Sequence, residues 1–204
     1  MESILGNALI AFEKYSGWIL WNLFLAFIPL ALSYFLFRQR TNSRSLIWWL
    51  AFILFIAFLP NALYPLTGII HLIRSASSGY SVWITVLIFI PLHLFAIFSG
   101  FEAYVISVIN QGCYLQRQGK TQFILPAEMM IHLLSSIGLY CGRFRRFNSW
   151  DLIADYGGVF VSIFDDLTSK FPLALISIAF IVVSTAYWFI KKSTLKIIVK
   201  MNFY

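Results

Sequence analysis

The sequence predicts an all-α integral membrane protein, a helical bundle of about five transmembrane helices in which the second helix is kinked or broken. Three observations predict it: 60% of the 204 residues are hydrophobic, only 11% are charged, and long apolar runs recur along the chain. A soluble domain has about 45–50% apolar and about 25% charged residues. Too few polar side chains are present to cover a folded surface in water, so lipid is the predicted solvent. A transmembrane barrel would show short alternating segments, which the sequence lacks.

Five nearly uncharged stretches predict the membrane passes, since about 20 apolar residues cross a hydrocarbon core of about 30 Å. These passes cover about residues 15–37, 45–73, 80–110, 121–142 and 171–190. Together they form a single membrane domain over residues 15–190. Residues 1–14 are predicted to be an exposed or interfacial lead-in, 143–170 a polar loop with an interfacial helix, and 191–204 a basic cytoplasmic tail.

The net charge of +7 comes from 15 Lys and Arg against 8 Asp and Glu. On a soluble protein this excess would suggest nucleic acid, but here the basic residues cluster at the ends of apolar runs, and no nucleic-acid partner is expected. Nine Lys and Arg fall on the side of the C-terminus and six on the other side. This bias favours an N-terminus outside the cell and a C-terminus in the cytoplasm.

Polar residues of the fourth pass predict an interior stripe. Thr121, Glu128, His132 and Ser135 are spaced seven, four and three residues apart, which places them on one helix face. Ionisable groups in a bilayer face protein or water, so this face is expected to point into the bundle. The stripe is a proton or ion path, or a general acid and base pair, or else a set of interhelical hydrogen bonds.

His93 and Glu102 on the third pass are nine residues apart, roughly 900° at 100° per residue, so they face opposite sides of a straight helix. The three histidines, His71, His93 and His132, lie one to a pass without the paired spacing of a metal motif. Neither a metal site nor a cofactor is predicted.

The second pass contains Pro60-Asn61 and then Pro65, and prolines remove backbone donors and bend helices. Asn61 could cap the half of the helix that follows the break. Four polar residues beyond the break are spaced to share one helix face: Tyr64, Thr67, His71 and Arg74. The segment is either a broken helix lining a polar cavity, as in transporters, or a kinked helix whose polar end lies in the interface.

The densest polar segment joins the fourth and fifth passes. It carries these polar residues: Arg143, Arg145, Arg146, Asn148, Ser149 and Asp151. Three arginines can bind a phosphate or carboxylate through paired hydrogen bonds. Alternatively, they anchor lipid headgroups or form ion pairs with Asp151 and Asp155. Ser149 could cap a short helix that lies along the membrane as far as Lys170.

Two motifs carry a resemblance to a known family. Residues 58–72, with the sequence FLPNALYPLTGIIHL, and residues 146–151, RFNSWD, together with WNLFLA at residues 21–26, resemble the bacterial membrane proteins called domain of unknown function 1361. The resemblance spans the chain from the first pass to about Asp151. It implies a multi-pass plasma-membrane protein and no activity.

The chain departs from that family in ways that bear on function. Members typically have Pro at the position of Leu63 and Thr-Asp at the position of Thr67-Gly68, so a role for that carboxylate would be absent here or moved. Members also commonly have one more N-terminal pass. That pass would place the Asn-Ser-Trp-Asp segment outside and the C-terminus inside, which agrees with the charge count.

The leading hypothesis is a protein without enzymatic activity that binds an anionic solute or lipid headgroup at an outward-facing polar site. The expected site residues are Asn61, Tyr64, Thr67, His71, Arg74, Arg143, Arg145, Arg146, Asn148, Ser149 and Asp151. One alternative is a membrane-embedded enzyme acting on a lipid-linked substrate with His71 or Asp151 as general base, although no catalytic motif such as H-E-x-x-H is present. Another is a small subunit of a transporter or assembly complex, with a protein partner or a second copy of the chain beside the lipid bilayer.

Overall fold

The computed structural model describes residues 4–39, 44–68, 82–147 and 154–201. Within these ranges the chain is helical and contains no strand. The helices are α1 (Ile4–Phe37), α2 (Leu46–Phe58), α3 (Tyr64–Thr67), α4 (Ile90–Arg117), α5 (Ile124–Tyr140), α6 (Tyr156–Thr168) and α7 (Lys170–Met201). Five shorter segments connect them within these ranges. Two are 3-10 turns (Leu59–Leu63 and Thr121–Phe123), one is a single helical turn (Val82–Ile84), and two are π-helical (Thr85–Phe89 and Cys141–Arg145).

Five of these helical stretches are long and apolar enough to cross a membrane. They are Ser16–Phe37, Leu46–Thr67, Val82–Arg117, Thr121–Arg145 and Lys170–Ile197. The shortest have 22 residues, which corresponds to about 33 Å at 1.5 Å per residue and so matches the hydrocarbon core. The predicted all-α bundle with five passes is confirmed.

The break in the second pass follows from its prolines. α2 ends at Phe58, a 3-10 turn with Pro60 near its start carries the chain to Leu63, and α3 begins again with Pro65 in its first turn. The predicted cap by Asn61 is wrong, because the residue before α3 is Leu63, which makes no side-chain cap hydrogen bond. Leu63 keeps a right-handed helical conformation, so the chain never extends into the geometry that a side-chain cap requires.

The helices continue past several predicted boundaries. α1 begins at Ile4, within the predicted lead-in, and α4 continues past residue 110 to Arg117. α7 continues past residue 190 to Met201 and takes in most of the predicted tail. The physical reason is that a lysine or arginine ends an apolar run without ending a helix, since both are good helix formers.

A helix is present within the predicted polar loop, α6, Tyr156–Thr168, and its position along the membrane stays a prediction. The Asp155 carboxylate caps it by accepting a hydrogen bond from the Gly158 N–H at 3.1 Å. The predicted start at Ser149 lies outside the described residues. α6 packs against α7 through Ile163 and Ile176, which share a small apolar cluster with Cys141.

The two ends of the bundle carry different groups. At one end the Arg38 Nε donates to the Asn110 side-chain oxygen at 2.8 Å, and Arg117 donates to the Phe37 carbonyl, so α4 holds the end of α1. The other end, called the arginine end below, contains α3 and the arginines that follow α5. Within the described residues, Tyr64 lies against Gly142 at this end, whereas the rest of the predicted polar cluster, His71, Arg74 and residues 148–151, lies outside the described ranges.

Candidate functional site

Two glycines hold the broken second pass against α5. A Cβ on Gly138 would lie 2.4 Å from the Pro60 Cγ, and a Cβ on Gly142 would lie 1.0 Å from the Tyr64 hydroxyl oxygen. Only glycine lets the two segments approach this closely. Sequence reasoning missed both residues, although their four-residue separation is a recognised packing pattern in membrane helices. The contact places the Tyr64 hydroxyl beside the start of the arginine segment.

A first cavity, called the kink cleft, opens between the break, α5 and α6 and has a volume of about 270 Å³. Its lining consists of Ile56, Ala57, Pro60, Asn61, Tyr64, Leu134, Ile137, Gly138, Cys141, Gly142, Phe147, Val159, Phe160 and Ile163. Most of these walls are apolar. The exceptions of note are Asn61 and Tyr64, two of the predicted site residues.

A second cavity, called the arginine cleft, lies between α3, α5 and α7 and has a volume of about 230 Å³. Its lining consists of Leu66, Thr67, Leu139, Tyr140, Arg143, Phe144, Leu175, Ile178, Ala179, Val182 and Val183. Thr67 and Arg143 were predicted to lie in one site, and both line this cleft. The predicted polar site is thus divided between two clefts on either side of the end of α5.

Arg145 belongs to neither cleft, because it is bound to Asp166 on α6. Its Nε donates to Oδ2 at 2.8 Å and its Nη2 to Oδ1 at 2.6 Å. The expected pairing with Asp151 or Asp155 is not observed: Asp155 caps α6, and Asp151 lies outside the described residues. The pKa of Asp166 is lowered from its ordinary value, chiefly by the hydrogen bonds from Arg145 and also by one from Tyr140.

The remaining arginines follow the end of α5. Arg146 adopts a left-handed conformation with φ 59°, and the Phe147 N–H then bonds to the Cys141 carbonyl at 3.2 Å, which ends the helix. Among the residues that the structure describes, neither Arg143 nor Arg146 forms an ion pair with a carboxylate. Five predicted site residues lie outside the described ranges: His71, Arg74, Asn148, Ser149 and Asp151.

The predicted interior stripe of α5 is confirmed for three of its four residues. Glu128, His132 and Ser135 are all buried within the bundle. Thr121 is exposed, and its assignment to the stripe is wrong. It lies in the 3-10 turn before α5, so its side chain does not follow the helical spacing that relates the other three residues.

Groups from α4 and α7 complete this interior cluster. The Glu128 carboxylate accepts hydrogen bonds from the Lys191 ammonium at 2.5 Å and from the Tyr187 hydroxyl at 2.8 Å. The Tyr104 hydroxyl lies 2.7 Å from the His132 Nδ1. The rings of His132 and Tyr187 meet edge to face with their centroids 4.5 Å apart. Sequence reasoning placed Lys191 in the tail and so missed the partner of Glu128.

His93 and Glu102 face different helices, as their spacing predicts. The His93 Nδ1 bonds to the Phe89 carbonyl at 2.8 Å, and its ring lies 6.5 Å from that of Trp18 on α1. Glu102 accepts a hydrogen bond from the Thr194 hydroxyl on α7 at 2.7 Å. In the described part of the chain, no three His, Cys, Asp or Glu side chains come together in a way that could hold a metal ion.

Comparison with known proteins gives one match. A family model described as "Protein of unknown function (DUF1361)" matches residues 21–185, which is most of the chain and includes α6 and the first half of α7. No curated protein and no solved structure matches. The match agrees with the resemblance seen in the motifs and extends it beyond Asp151. The chain therefore belongs to the DUF1361 family of proteins of unknown function.

Proposed function

We propose that this integral membrane protein binds a lipid with an anionic headgroup at its arginine end. The observation that carries the proposal is the position of Arg143 on the wall of an apolar cleft of about 230 Å³, beside Thr67. In the part of the chain that the structure describes, no carboxylate pairs with this guanidinium. A guanidinium can form two parallel, charge-assisted hydrogen bonds to a phosphate, and the Thr67 hydroxyl supplies a further polar group.

The composition of the cleft favours an amphiphile over a free anion. Apart from Thr67, Tyr140 and Arg143, its lining is apolar. A small anion would contact the guanidinium and leave the remaining walls unfilled, whereas a lipid would place its headgroup on Arg143 and its chain along those walls. Arg146 lies three residues further on and is exposed, so it adds positive charge at the same end.

The orientation that accompanies this proposal puts the arginine end outside a plasma membrane and the C-terminus in the cytoplasm. It rests on the excess of Lys and Arg at the opposite end. Replacing both native cysteines, Cys113 and Cys141, with serine and placing a single cysteine at Ser149 tests it in intact cells. A membrane-impermeant maleimide should label that cysteine without permeabilisation. Labelling only after permeabilisation would reverse the orientation.

Binding is tested with the purified chain in a zwitterionic detergent. Fluorescent phosphatidylglycerol should bind more tightly than phosphatidylcholine with the same chains. Arg143→Gln should weaken binding of phosphatidylglycerol by about tenfold, the effect expected from losing a charge-assisted hydrogen bond. Lys120→Gln is the matched control, because it removes one positive charge from an exposed lysine at the other end, and it should change the affinity less than twofold.

Three results would overturn the proposal. Equal affinity for the two lipids would remove the role of the headgroup charge, and an unchanged affinity in Arg143→Gln would remove the role of the cleft. Competition by inorganic phosphate at concentrations comparable with the lipid would identify a free anion as the ligand instead. His71 and Asp151, on which a catalytic function would depend, lie outside the described residues.

A further inference from the structure

α6 covers one side of the kink cleft. Val159, Phe160 and Ile163 of this helix line the cleft, opposite the broken second pass. Val159, Ile163 and Asp166 are spaced four and three residues apart and so share the face that α6 presents to the bundle. Asp166 is only 4% exposed and is held by Arg145. One face of α6 therefore supplies both a wall of the cleft and the polar bond that fixes the helix to the π-helical segment after α5.

The other face of α6 is also apolar. Tyr156, Val161 and Phe164 are exposed, with between 63% and 72% of their surface accessible, which suits a helix lying in lipid. Lipid chains are as apolar as the protein surface that α6 contacts, so moving this helix away from the bundle loses little hydrophobic stabilisation. The hydrogen bonds to Asp166 are consequently the main interactions that oppose such a movement.

We propose that the kink cleft is a second binding site, for the hydrocarbon chain of the anionic lipid, and that α6 is its lid, latched by Arg145 and Asp166. This inference rests on the proposed function, because it assigns the same ligand class to a neighbouring cleft. The lipid chain fits the apolar walls, and the lining includes Gly142 and Phe147, which directly flank the arginine segment in the sequence, so a headgroup held by those arginines would place its chain beside this cleft.

The latch and the headgroup compete for one guanidinium. Arg145 lies two residues from Arg143, and its side chain is 45% exposed, so a headgroup at the arginine end can reach it. When the headgroup takes the guanidinium, Asp166 loses its counter-charge. A buried carboxylate without a partner is strongly unfavourable, so α6 moves until water reaches Asp166. That movement uncovers the cleft for the lipid chain.

Cys141 reports on the lid, because it lines the kink cleft and is 7% exposed. Its alkylation by N-ethylmaleimide is measured by peptide mass spectrometry on the full chain in phosphatidylcholine nanodiscs. Cys113, a half-buried free cysteine on α4 that lines neither cleft, is measured in the same sample. A change at Cys141 with none at Cys113 identifies local opening and distinguishes it from unfolding.

Asp166→Asn and Arg145→Gln should each increase the rate of Cys141 alkylation at least tenfold, because each breaks the latch. The two substitutions change the local charge in opposite directions, so a common acceleration reports access to the cleft and excludes a direct electrostatic effect on the thiol. Asp165→Asn, at the exposed neighbour of Asp166, is the matched control and should change the rate less than twofold. Acceleration in neither variant, or in only one of them, would overturn the latch.

The ligand is tested in the Asp166→Asn protein. Phosphatidylglycerol should slow Cys141 alkylation at least fivefold by filling the cleft, whereas added phosphatidylcholine with the same chains should not slow it. Absence of this protection, with the affinity loss in Arg143→Gln intact, would overturn the kink cleft as a chain site and leave the proposed function standing. Loss of lipid affinity altogether would overturn the proposed function, while the two latch variants would still decide whether α6 is a lid.

Discussion

Gly142→Ala should strongly destabilise the bundle, because the new methyl group would overlap the Tyr64 side chain. Its Cβ would lie 1.0 Å from the Tyr64 hydroxyl oxygen and 2.4 Å from Cζ, whereas ordinary van der Waals contact begins at 3.4 Å. The hydroxyl would have to move by roughly the difference, about 2.4 Å. The ring atoms Cζ and Cε1 would also lie too close, at 2.4 and 3.2 Å, so the whole Tyr64 ring has to move, either by rotating about its side-chain bonds or by shifting the broken segment.

Overpacking of this kind costs about 1–3 kcal/mol, and the severity of the overlap places Gly142→Ala at the upper end. A loss of about 3 kcal/mol lowers the melting temperature of a chain of this size by roughly 6–12 °C. The assay is thermal unfolding in detergent, in which the fraction of protein that remains monodisperse on size-exclusion chromatography is measured after heating to each temperature. Tyr64→Ala in the same chain removes the overlapping ring, so the double variant should be more stable than the sum of the two single effects predicts.

Gly17→Ala is the matched control, since Gly17 lies within α1 and a Cβ there would meet no atom within 4 Å. Alanine is the better helix former by about 1 kcal/mol, so this variant should be at least as stable as the original chain. A Gly142→Ala protein with an unchanged melting temperature would refute the close contact and, with it, the position of Tyr64 beside the arginine segment.

Two further predictions concern the buried carboxylates. Lys191→Met should lower stability by about 3 kcal/mol because it leaves Glu128 without its ammonium partner, and Glu128→Gln in the same chain should recover most of the loss; Lys196→Met, at an exposed lysine of α7, should have little effect. The same thermal assay measures the stability of the Lys191→Met and Lys196→Met proteins. Equal losses of stability in these two variants would contradict a stabilising role for the Lys191–Glu128 ion pair. Because the folded state lowers the pKa of Asp166, this group stabilises the fold above the ordinary aspartate value of about 3.9 and ceases to do so as the pH falls through the folded value. The original chain should therefore lose more stability than Asp166→Asn between pH 6 and pH 3, and parallel pH profiles would contradict this assignment.

The parts of the fold that the sequence predicts are those set by local chemistry. Five passes follow from the length of the apolar runs, because a run of that length without charges has few alternatives to crossing the membrane. The break follows from Pro60 and Pro65, whose missing donors act wherever the helix lies. The burial of Glu128 and His132 follows because the lipid-facing alternative is costly for ionisable groups. In each case the structure is determined by the chemistry of one segment and of the solvent around it.

The parts that the sequence does not predict depend on which segments meet. Sequence reasoning missed Asp166 as the partner of Arg145, because the pairing crosses 21 residues and depends on where α6 lies relative to the π-helical segment after α5. Lys191 was assigned to a tail since a lysine at the end of an apolar run usually lies among headgroups, yet its long side chain extends to Glu128 on α5. A polar pairing between helices leaves no periodic signal in either helix, so only the assembled bundle identifies it.

At the arginine end, the broken second pass is held by a steric contact and α6 is held by a polar one, and a ligand can replace only the polar contact. The broken segment is fixed by steric fit, with Pro60 and Tyr64 against glycine backbone, and a ligand has no group to exchange for that fit. α6 is held through the two bonds that Asp166 accepts from Arg145, and an anionic headgroup offers Arg145 an equivalent acceptor. A ligand can shift an equilibrium only by its different affinity for the two states. An anion binds the state in which Arg145 is released from Asp166 more tightly than the latched state, whereas it has no such preference between states of the glycine contact. We therefore expect α6 to move and the wall formed by Tyr64 to stay in place.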